Sequence, residues 1–233
     1  MNILALDTTM QACSAAVLCD AGGTHDLFRL HEARERGHAE ALMPMIEQVM
    51  DQASLSFGQL DRIAVTVGPG AFTGVRVGVS AARGLALAAG AGLIGVTSLA
   101  VIARTVRDQQ DQAPAKGIVA ATADARRGEV YFAMFDAQGD ALCDHMALTP
   151  REAADLLPAS GCVTLAGSAA GLVADAANAA CRDPHAVLEC LQPDAATLAR
   201  MAAELDTEHD PVSPLYLRPP DAKPQTGNAI PHM

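Results

Sequence analysis

Asp7, Thr8 and Thr9 end a short apolar run near the start of the chain, and they are the first residues whose types could do chemistry. A carboxylate in this position can hold a divalent metal ion, and hydroxyl groups beside it can contact phosphate. A loop that cradles phosphate also needs backbone N–H groups open to close approach, which glycine provides. The residues that follow, Met10 to Ala12, include no glycine. We therefore favour an acid that forms or caps a turn over a catalytic acid.

The loop Gly68–Gly74 (GPGAFTG) is the second pattern, and it joins a predicted strand to a predicted helix. It is not a Walker loop, because no Gly-Lys-Ser/Thr follows it. An anion could still bind at the start of the helix. However, Gly74, Gly78, Ala82 and Ala86 recur every fourth residue and give one helix face almost no side chain. Another backbone can approach such a face closely, so the pattern predicts a packing surface first and an anion site second.

Metal-ligating patterns are weak in this sequence. His38 begins a predicted helix, but Leu42 stands at one of the positions where a second ligand would be needed. The cysteines form no CxxC pair and have no accompanying histidine cluster, which argues against zinc and against a disulfide framework. They are Cys13, Cys19, Cys143, Cys162, Cys181 and Cys190. We predict that most of them are small buried apolar residues in a reducing cytosol.

Composition and charge argue against direct nucleic-acid binding. The 233 residues include 27 acidic and 16 basic ones, for a net charge of −11, and only 3% aromatics with no Trp. Such a chain repels phosphate backbones unless its arginines cluster, and it has few rings on which bases could stack. Arg76 and Arg83 share one side of a predicted helix, with Arg34, Arg36 and Arg62 as possible neighbours. An RNA-binding patch is conceivable, but a solvated or salt-bridged face is the more ordinary interpretation.

Residues 84–103 contain no charge and are long enough to span a membrane. Glycines interrupt the stretch, and we predict instead a helix that ends near Gly90, a strand at 93–96, and a helix capped by Thr97 or Ser98. The N-terminal sequence MNILALDTT has no basic segment and is not a signal peptide. We expect a cytoplasmic protein that does not bind membranes.

Hydrophobic periodicity predicts the same order of elements twice along the chain. The first half has strands at 3–6, 13–19, 27–33, 62–67 and 93–96, with helices at 38–53 and from Gly74 to about 89. The second has strands at 118–123, 129–135, 142–148, 162–166 and 186–190, with helices from Thr149 to about 158 and at 170–181 and 194–206. Gly22 and Gly23 are a predicted hairpin turn.

A three-stranded meander followed by αβαβ is the ribonuclease-H-like unit, and two such units form the duplicated α/β architecture of actin and Hsp70 (the ASKHA fold). We therefore predict an N-terminal half at 1–107 that binds the partner, a C-terminal half at 108–220, and a loose tail at 221–233. Proteins of this shape usually bind ATP between the halves. An ATPase or phosphotransferase that uses Asp7 and this cleft is therefore the rival prediction, and it rests on fold analogy.

A family resemblance rests on five strings of the sequence. They are ILALDTT, HAEALMPMIEQV, GPGAFTGVRVG, DARRGEVYFAMFD and PLYLRPPDA. They resemble the bacterial TsaB (YeaZ) family from Met1 to about Ala222. The resemblance implies a subunit that works with TsaD and TsaE to place threonylcarbamoyl on N6 of adenosine 37 in tRNAs that read ANN codons. TsaD is the paralogue that carries out the transfer, and tRNA is expected to meet this chain only through the complex.

The comparison with TsaD implies a chain without catalytic, cofactor-binding or metal-binding residues. TsaD holds its metal with an HxxxH pair, and the two positions correspond here to Ser98 and Ile102. His38 and Pro44 match a TsaD helix but are not metal ligands there. Metal and nucleotide are expected on the partner subunits, and the missing pair also argues against a metallopeptidase.

Two periodic apolar faces predict the partner surface, because we expect neither to be fully used within one small, Ala-rich half. The eight predicted interface residues are Leu42, Met45, Val49, Gly74, Val75, Gly78, Val79 and Ala82. This surface would bind TsaD, and in the isolated protein it would form a homodimer. The alternative is that the small-residue face packs against this protein's own sheet.

Overall fold

The structure is a computed structural model that describes residues 1–21, 24–109, 117–182, 184–206 and 212–218. The predicted turn at Gly22 and Gly23, most of the joint between the halves, and the predicted tail at 221–233 lie outside the described residues. Within the described ranges the chain forms two five-stranded mixed sheets with helices packed on them.

The first sheet has the strand order β3-β2-β1-β4-β5, with β1, β2 and β3 antiparallel and β1, β4 and β5 parallel. Its strands are β1 (Ile3–Asp7), β2 (Ala12–Ala21), β3 (Thr24–Ala33), β4 (Arg62–Thr66) and β5 (Gly92–Val96). The helices that this part of the sequence forms are α1 (His38–Gln52), α2 (Phe72–Ala89) and α3 (Ser98–Gln109). A short 3₁₀ turn at Phe57–Gln59 leads into β4.

The second sheet repeats this topology with the order β10-β9-β6-β7-β8. Its strands are β6 (Ile118–Arg126), β7 (Glu129–Phe135), β8 (Met146–Leu148), β9 (Val163–Gly167) and β10 (Ala186–Glu189). The helices are α4 (Pro150–Leu156), α5 (Ala170–Ala179) and α6 (Ala195–Glu204). In each sheet the first strand is central, with an antiparallel hairpin on one side and parallel strands on the other. The duplicated α/β fold with two ribonuclease-H-like halves is confirmed.

Several element ends lie where local chemistry places them. Thr149 accepts a hydrogen bond from the Glu152 backbone N–H, and the Glu152 side chain accepts one in return, so the predicted capping box begins α4. Asp194 caps α6 by accepting from Ala196 N–H. Gly90 ends α2 in the left-handed conformation, as predicted.

The two halves exchange helices. The α6 helix follows the second sheet in sequence but packs on the first, where Leu198 joins a buried cluster with Ile3 and Ile94. The α3 helix follows the first sheet but packs on the second, where Ile102 joins a cluster with Val119. A boundary between residues 107 and 108 therefore separates the two sheets, but it leaves each sheet apart from one of the helices that cover it.

Candidate functional site

Asp7 ends β1 and is fully buried. Its Oδ1 accepts hydrogen bonds from Thr66 Oγ1 at 2.5 Å, Thr9 Oγ1 at 2.7 Å and Thr9 N at 3.2 Å. Its Oδ2 is also buried and has no hydrogen-bond partner among the described residues. Burial raises the pKa of this carboxyl from 3.8 to about 6, although the three hydrogen bonds oppose the rise. The group is thus a buried carboxyl held by Thr66 of β4 and by the turn that follows Asp7.

The small-residue face of α2 lies directly on this turn. A Cβ added at Gly70 would lie 2.2 Å from Thr9 O, and one at Gly74 would lie 2.1 Å from Thr8 O. A Cβ at Gly78 would lie 2.7 Å from Thr8 Oγ1, and that hydroxyl donates to Gly74 O at 2.7 Å. The glycines therefore allow helix and turn backbones to touch, which is the packing role that the sequence predicted.

The prediction that eight named residues form the partner surface is wrong for the folded chain. All eight are buried, and none of the six that carry side chains is more than 4% exposed. These six share one core cluster with Leu4 and Val65 of the first sheet. The reason is that α1 and α2 together cover one face of that sheet, so the alternative of packing on the protein's own sheet is correct. The residues concerned are Leu42, Met45, Val49, Gly74, Val75, Gly78, Val79 and Ala82.

The opposite side of the same two helices is exposed and carries segregated charge. The charged side chains of α1 other than its histidine are acidic, whereas those of α2 are arginines. Met43 is 41% exposed and Leu87 is 87% exposed, which places large apolar groups among the charges. We call this surface the α1–α2 outer face, and it consists of Glu40, Met43, Glu47, Arg76, Arg83 and Leu87.

The structure ties three of the five arginines considered for an RNA patch to separate local partners. Arg62 donates to the backbone carbonyls of Ala202 and Leu205 at the end of α6. Arg34 pairs with Glu32 at 2.8 Å. Arg76 donates to a tyrosine hydroxyl. These contacts face different neighbours and do not gather the arginines into one basic surface.

A cleft of about 840 Å³ lies between the two halves. One wall contains His38 and the loop at Gly70–Gly74, and the other contains Ala123–Arg126 and Ser168. His38 Nε2 lies 2.9 Å from Met10 O, which fixes its ring at the rim. Asp7 is not among the residues that line the cleft, so the structure does not bring together the two parts of the rival ATPase site.

Ser98 and Ile102, the two positions that the family resemblance matched to the HxxxH pair, have structural contacts. Ser98 is buried, and its Oγ donates to Pro69 O at 2.5 Å. Ile102 is buried in the core between α3 and the second sheet. Across the described residues, no three His, Cys, Asp or Glu side chains lie close enough together to hold a metal ion.

The prediction that most cysteines are buried is wrong. Cys13 and Cys19 are buried and Cys143 is half-buried, but the three others are exposed. They are Cys162, Cys181 and Cys190.

The uncharged stretch at 84–103 is divided among α2, β5 and α3. In the part of the chain that the structure describes, no helix combines the length and hydropathy needed to cross a membrane. 

Sequence reasoning missed the contribution of residues 215–218 to the cleft. Tyr216 of this segment stacks on Phe72 at 5.3 Å between ring centroids. The only signal available was that PLYLR belongs to one of the strings shared with the TsaB family. That signal indicates importance but not position, because the contacts join residues more than a hundred positions apart.

Comparison with known proteins places the chain in a family. The sequence model described as TsaD, tRNA N6-adenosine threonylcarbamoyltransferase, matches residues 31–181. The structure of a Pseudomonas aeruginosa protein titled YeaZ superposes with a TM-score of 0.78 at 31% identity, covering 93% of this chain and 99% of that one.

Among sequence relatives, a Haemophilus influenzae protein is named tRNA threonylcarbamoyladenosine biosynthesis protein TsaB. It is 39% identical over 132 residues, which are 57% of this chain and 52% of that protein. The chain thus spans about half the length of the TsaB relatives that it matches. An uncharacterized Mycobacterium tuberculosis protein is 33% identical over 96% of this chain and 94% of its own length. On these matches the chain belongs to the TsaD family and, within it, to the TsaB/YeaZ proteins.

Proposed function

We propose that this chain is a non-catalytic partner subunit in the modification of tRNA with threonylcarbamoyl. In this proposal it works with TsaD and TsaE to transfer the group to N6 of adenosine 37 in tRNAs that read ANN codons. Family membership supports the pathway, because the TsaB relatives are named as biosynthesis proteins of threonylcarbamoyladenosine. Metal and nucleotide are assigned to the partner subunits, and the complex is assigned to the cytoplasm.

The observation that carries the non-catalytic role is the packing of α2 on the turn after Asp7. A phosphate-binding turn needs free backbone N–H groups and space above them. Here the backbone of Gly70, in the loop before α2, lies against the carbonyl of Thr9, and the backbone of Gly74, in the first turn of α2, lies against the carbonyl of Thr8. The Asp7 carboxyl is sealed beneath the turn and is separate from the cleft. Close packing of the Gly70–Gly74 backbone on this turn therefore supports a structural role for Asp7.

The proposed contact with TsaD uses the α1–α2 outer face. Exposed apolar side chains among charged ones suit a partner surface, because interface centres are apolar and their rims are polar. The acids of α1 and the arginines of α2 also complement each other. Two copies of this chain can therefore pair α1 against α2 in a symmetric homodimer when TsaD is absent. The eight buried residues support this face from below and do not touch the partner.

Co-purification with TsaD and TsaE tests the proposal directly. Met43→Asp and Leu87→Asp each replace an exposed apolar side chain of the outer face by a charge, and we expect both variants to fold but lose TsaD association and tRNA modification. Leu172→Asp is the matched control, because Leu172 is 52% exposed on α5, away from this face. Normal association of both outer-face variants would show that the partner binds elsewhere.

The rival ATPase function is tested on the chain alone. Calorimetry with Mg-ATP should detect neither binding nor turnover, and metal analysis of protein purified without chelators should find no stoichiometric iron or zinc. Micromolar ATP binding that Asp7→Asn abolishes would favour the rival. A filter-binding titration at physiological salt should likewise detect no strong tRNA binding, because the net charge of −11 opposes it.

A further inference from the structure

The segment Val212–Arg218 runs from the core of the first half to the hairpin of the second. Val212 is 4% exposed and belongs to the core cluster that α1 and α2 form on the first sheet. It fits there because Gly95 leaves room: a Cβ at that glycine would lie 2.9 Å from a Val212 methyl group. Three residues later, Leu215 N donates to Val67 O at 2.7 Å. The start of the segment is thus fixed to the first half by side-chain burial and by a backbone hydrogen bond.

The middle of the segment is fixed to α2. Arg76 Nε donates to the Tyr216 hydroxyl at 2.8 Å. The Arg76 guanidinium also lies 3.7 Å from the centroid of the Phe72 ring, which itself stacks on Tyr216. Each contact is of a kind that favours a fixed side-chain arrangement. Side-chain contacts therefore join the N-terminal part of α2 to the segment.

At the end of the segment, the side chain of Arg218 contacts the second half. An Arg218 Nη donates to Ala125 O at 2.6 Å, and Arg218 Nε lies 3.1 Å from Glu129 Oε2. Ala125 and Glu129 flank the turn of the β6–β7 hairpin. In that turn Arg126, Arg127 and Gly128 all have positive φ, of 64°, 58° and 78°. Two non-glycine residues in the left-handed region make this turn costly to hold, so an external contact matters to its order.

We propose that Val212–Arg218 is a latch across the cleft, in which Arg218 holds the β6–β7 hairpin to the α2 side and so sets the width of the cleft. The segment itself lines the cleft through Leu215, Tyr216, Leu217 and Arg218. Its two ends contact different halves, and the contact with the hairpin is a charge-assisted one made by Arg218. This inference is independent of the proposed function, since it concerns how this chain orders its own cleft.

Hydrogen exchange followed by mass spectrometry on the full chain tests the latch. In Arg218→Ala we expect amides of the β6–β7 hairpin to exchange roughly tenfold faster, because a charge-assisted hydrogen bond to the hairpin is lost. Amides of α4 and α5 should exchange as in the wild type. Glu129→Ala removes only the ion pair and should give a smaller increase in the hairpin. Arg200→Ala is the control, because it removes another partly exposed arginine whose contact is to Asp108.

Two results would overturn the latch. Unchanged hairpin exchange in Arg218→Ala would mean that the turn orders itself without the segment. A similar increase in every part of the chain would mean that Arg218 supports global stability and not the cleft. Small-angle scattering gives a second readout, because an open cleft should raise the radius of gyration of Arg218→Ala but not that of Arg200→Ala.

Discussion

Replacing Asp7 by asparagine should make the chain progressively more stable, relative to wild type, as the pH rises from about 4 to about 7. The folded state raises the pKa of Asp7 from 3.8 to about 6, chiefly because burial disfavours the charged carboxylate. Below the unfolded value both states are protonated, and the ionisation of Asp7 does not oppose folding. As the pH rises through the folded value, the unfolded chain has already lost its proton while the folded chain must ionise a buried group. The wild type therefore loses stability over this range, and the variant does not.

The size of the effect follows from the shift. A rise of about two pKa units corresponds to ~3 kcal/mol of free energy of unfolding. Asparagine keeps an oxygen that can accept from Thr66 and Thr9, but its amide replaces Oδ2, for which the described residues offer no partner. That unpaired donor lowers the free energy of unfolding of the variant by ~1–3 kcal/mol at every pH. Because this penalty is constant, the change with pH in the difference between variant and wild type is unaffected.

Urea unfolding at several pH values between about 4 and about 8 measures this difference, with the midpoint and slope fitted at each pH. Asp51→Asn, which removes an exposed carboxyl from α1, is the control for the change in net charge. The expected result is a free energy of unfolding of Asp7→Asn that rises relative to the wild-type value by ~3 kcal/mol with increasing pH and levels off above the folded pKa, on top of a constant penalty. The reasoning is refuted if the difference between variant and wild type is the same at all pH values, or if it grows towards acid.

Two further predictions concern packing. Gly74→Ala should destabilise the chain by ~1–3 kcal/mol, because its Cβ would meet Thr8 O and backbone cannot give way cheaply. At Gly84 of the same helix an added Cβ has no neighbour within 4 Å, so Gly84→Ala should stabilise the chain by ~1 kcal/mol in thermal melts. Equal effects of the two substitutions would contradict the contact between Gly74 and Thr8. A fragment of residues 1–107 should show no cooperative thermal unfolding by circular dichroism, because it lacks α6 and leaves Ile3 and Ile94 uncovered. A sharp transition in that fragment would mean that α6 is dispensable for the first sheet.

Local patterns in the sequence determined the elements and their order. The predicted strand at 129–135 coincides with β7, and the predicted helix start at Thr149 coincides with the cap of α4. Side-chain period and capping hydrogen bonds depend on neighbours a few residues away, so they can be read before the fold is known. The repeated order of elements then indicated the duplicated fold.

Only the tertiary structure decided which faces those elements bury. The apolar stripe of α1 that contains Leu42 and Val49 has the same period whether it packs on the protein's own sheet or on a partner. In the structure it packs on the first sheet, because α1 and α2 together cover one face of that sheet. The exchange of α3 and α6 between halves has no local signature either, since it depends on which sheet face is left open. The sequence pattern around Asp7 fits both a metal ligand and a turn-forming acid, and only the structure shows that Asp7 is buried beside the turn on which α2 and its preceding loop pack. In each of these three cases the outcome depends on contacts between distant parts of the chain. A pattern of neighbouring residues carries no information about such contacts.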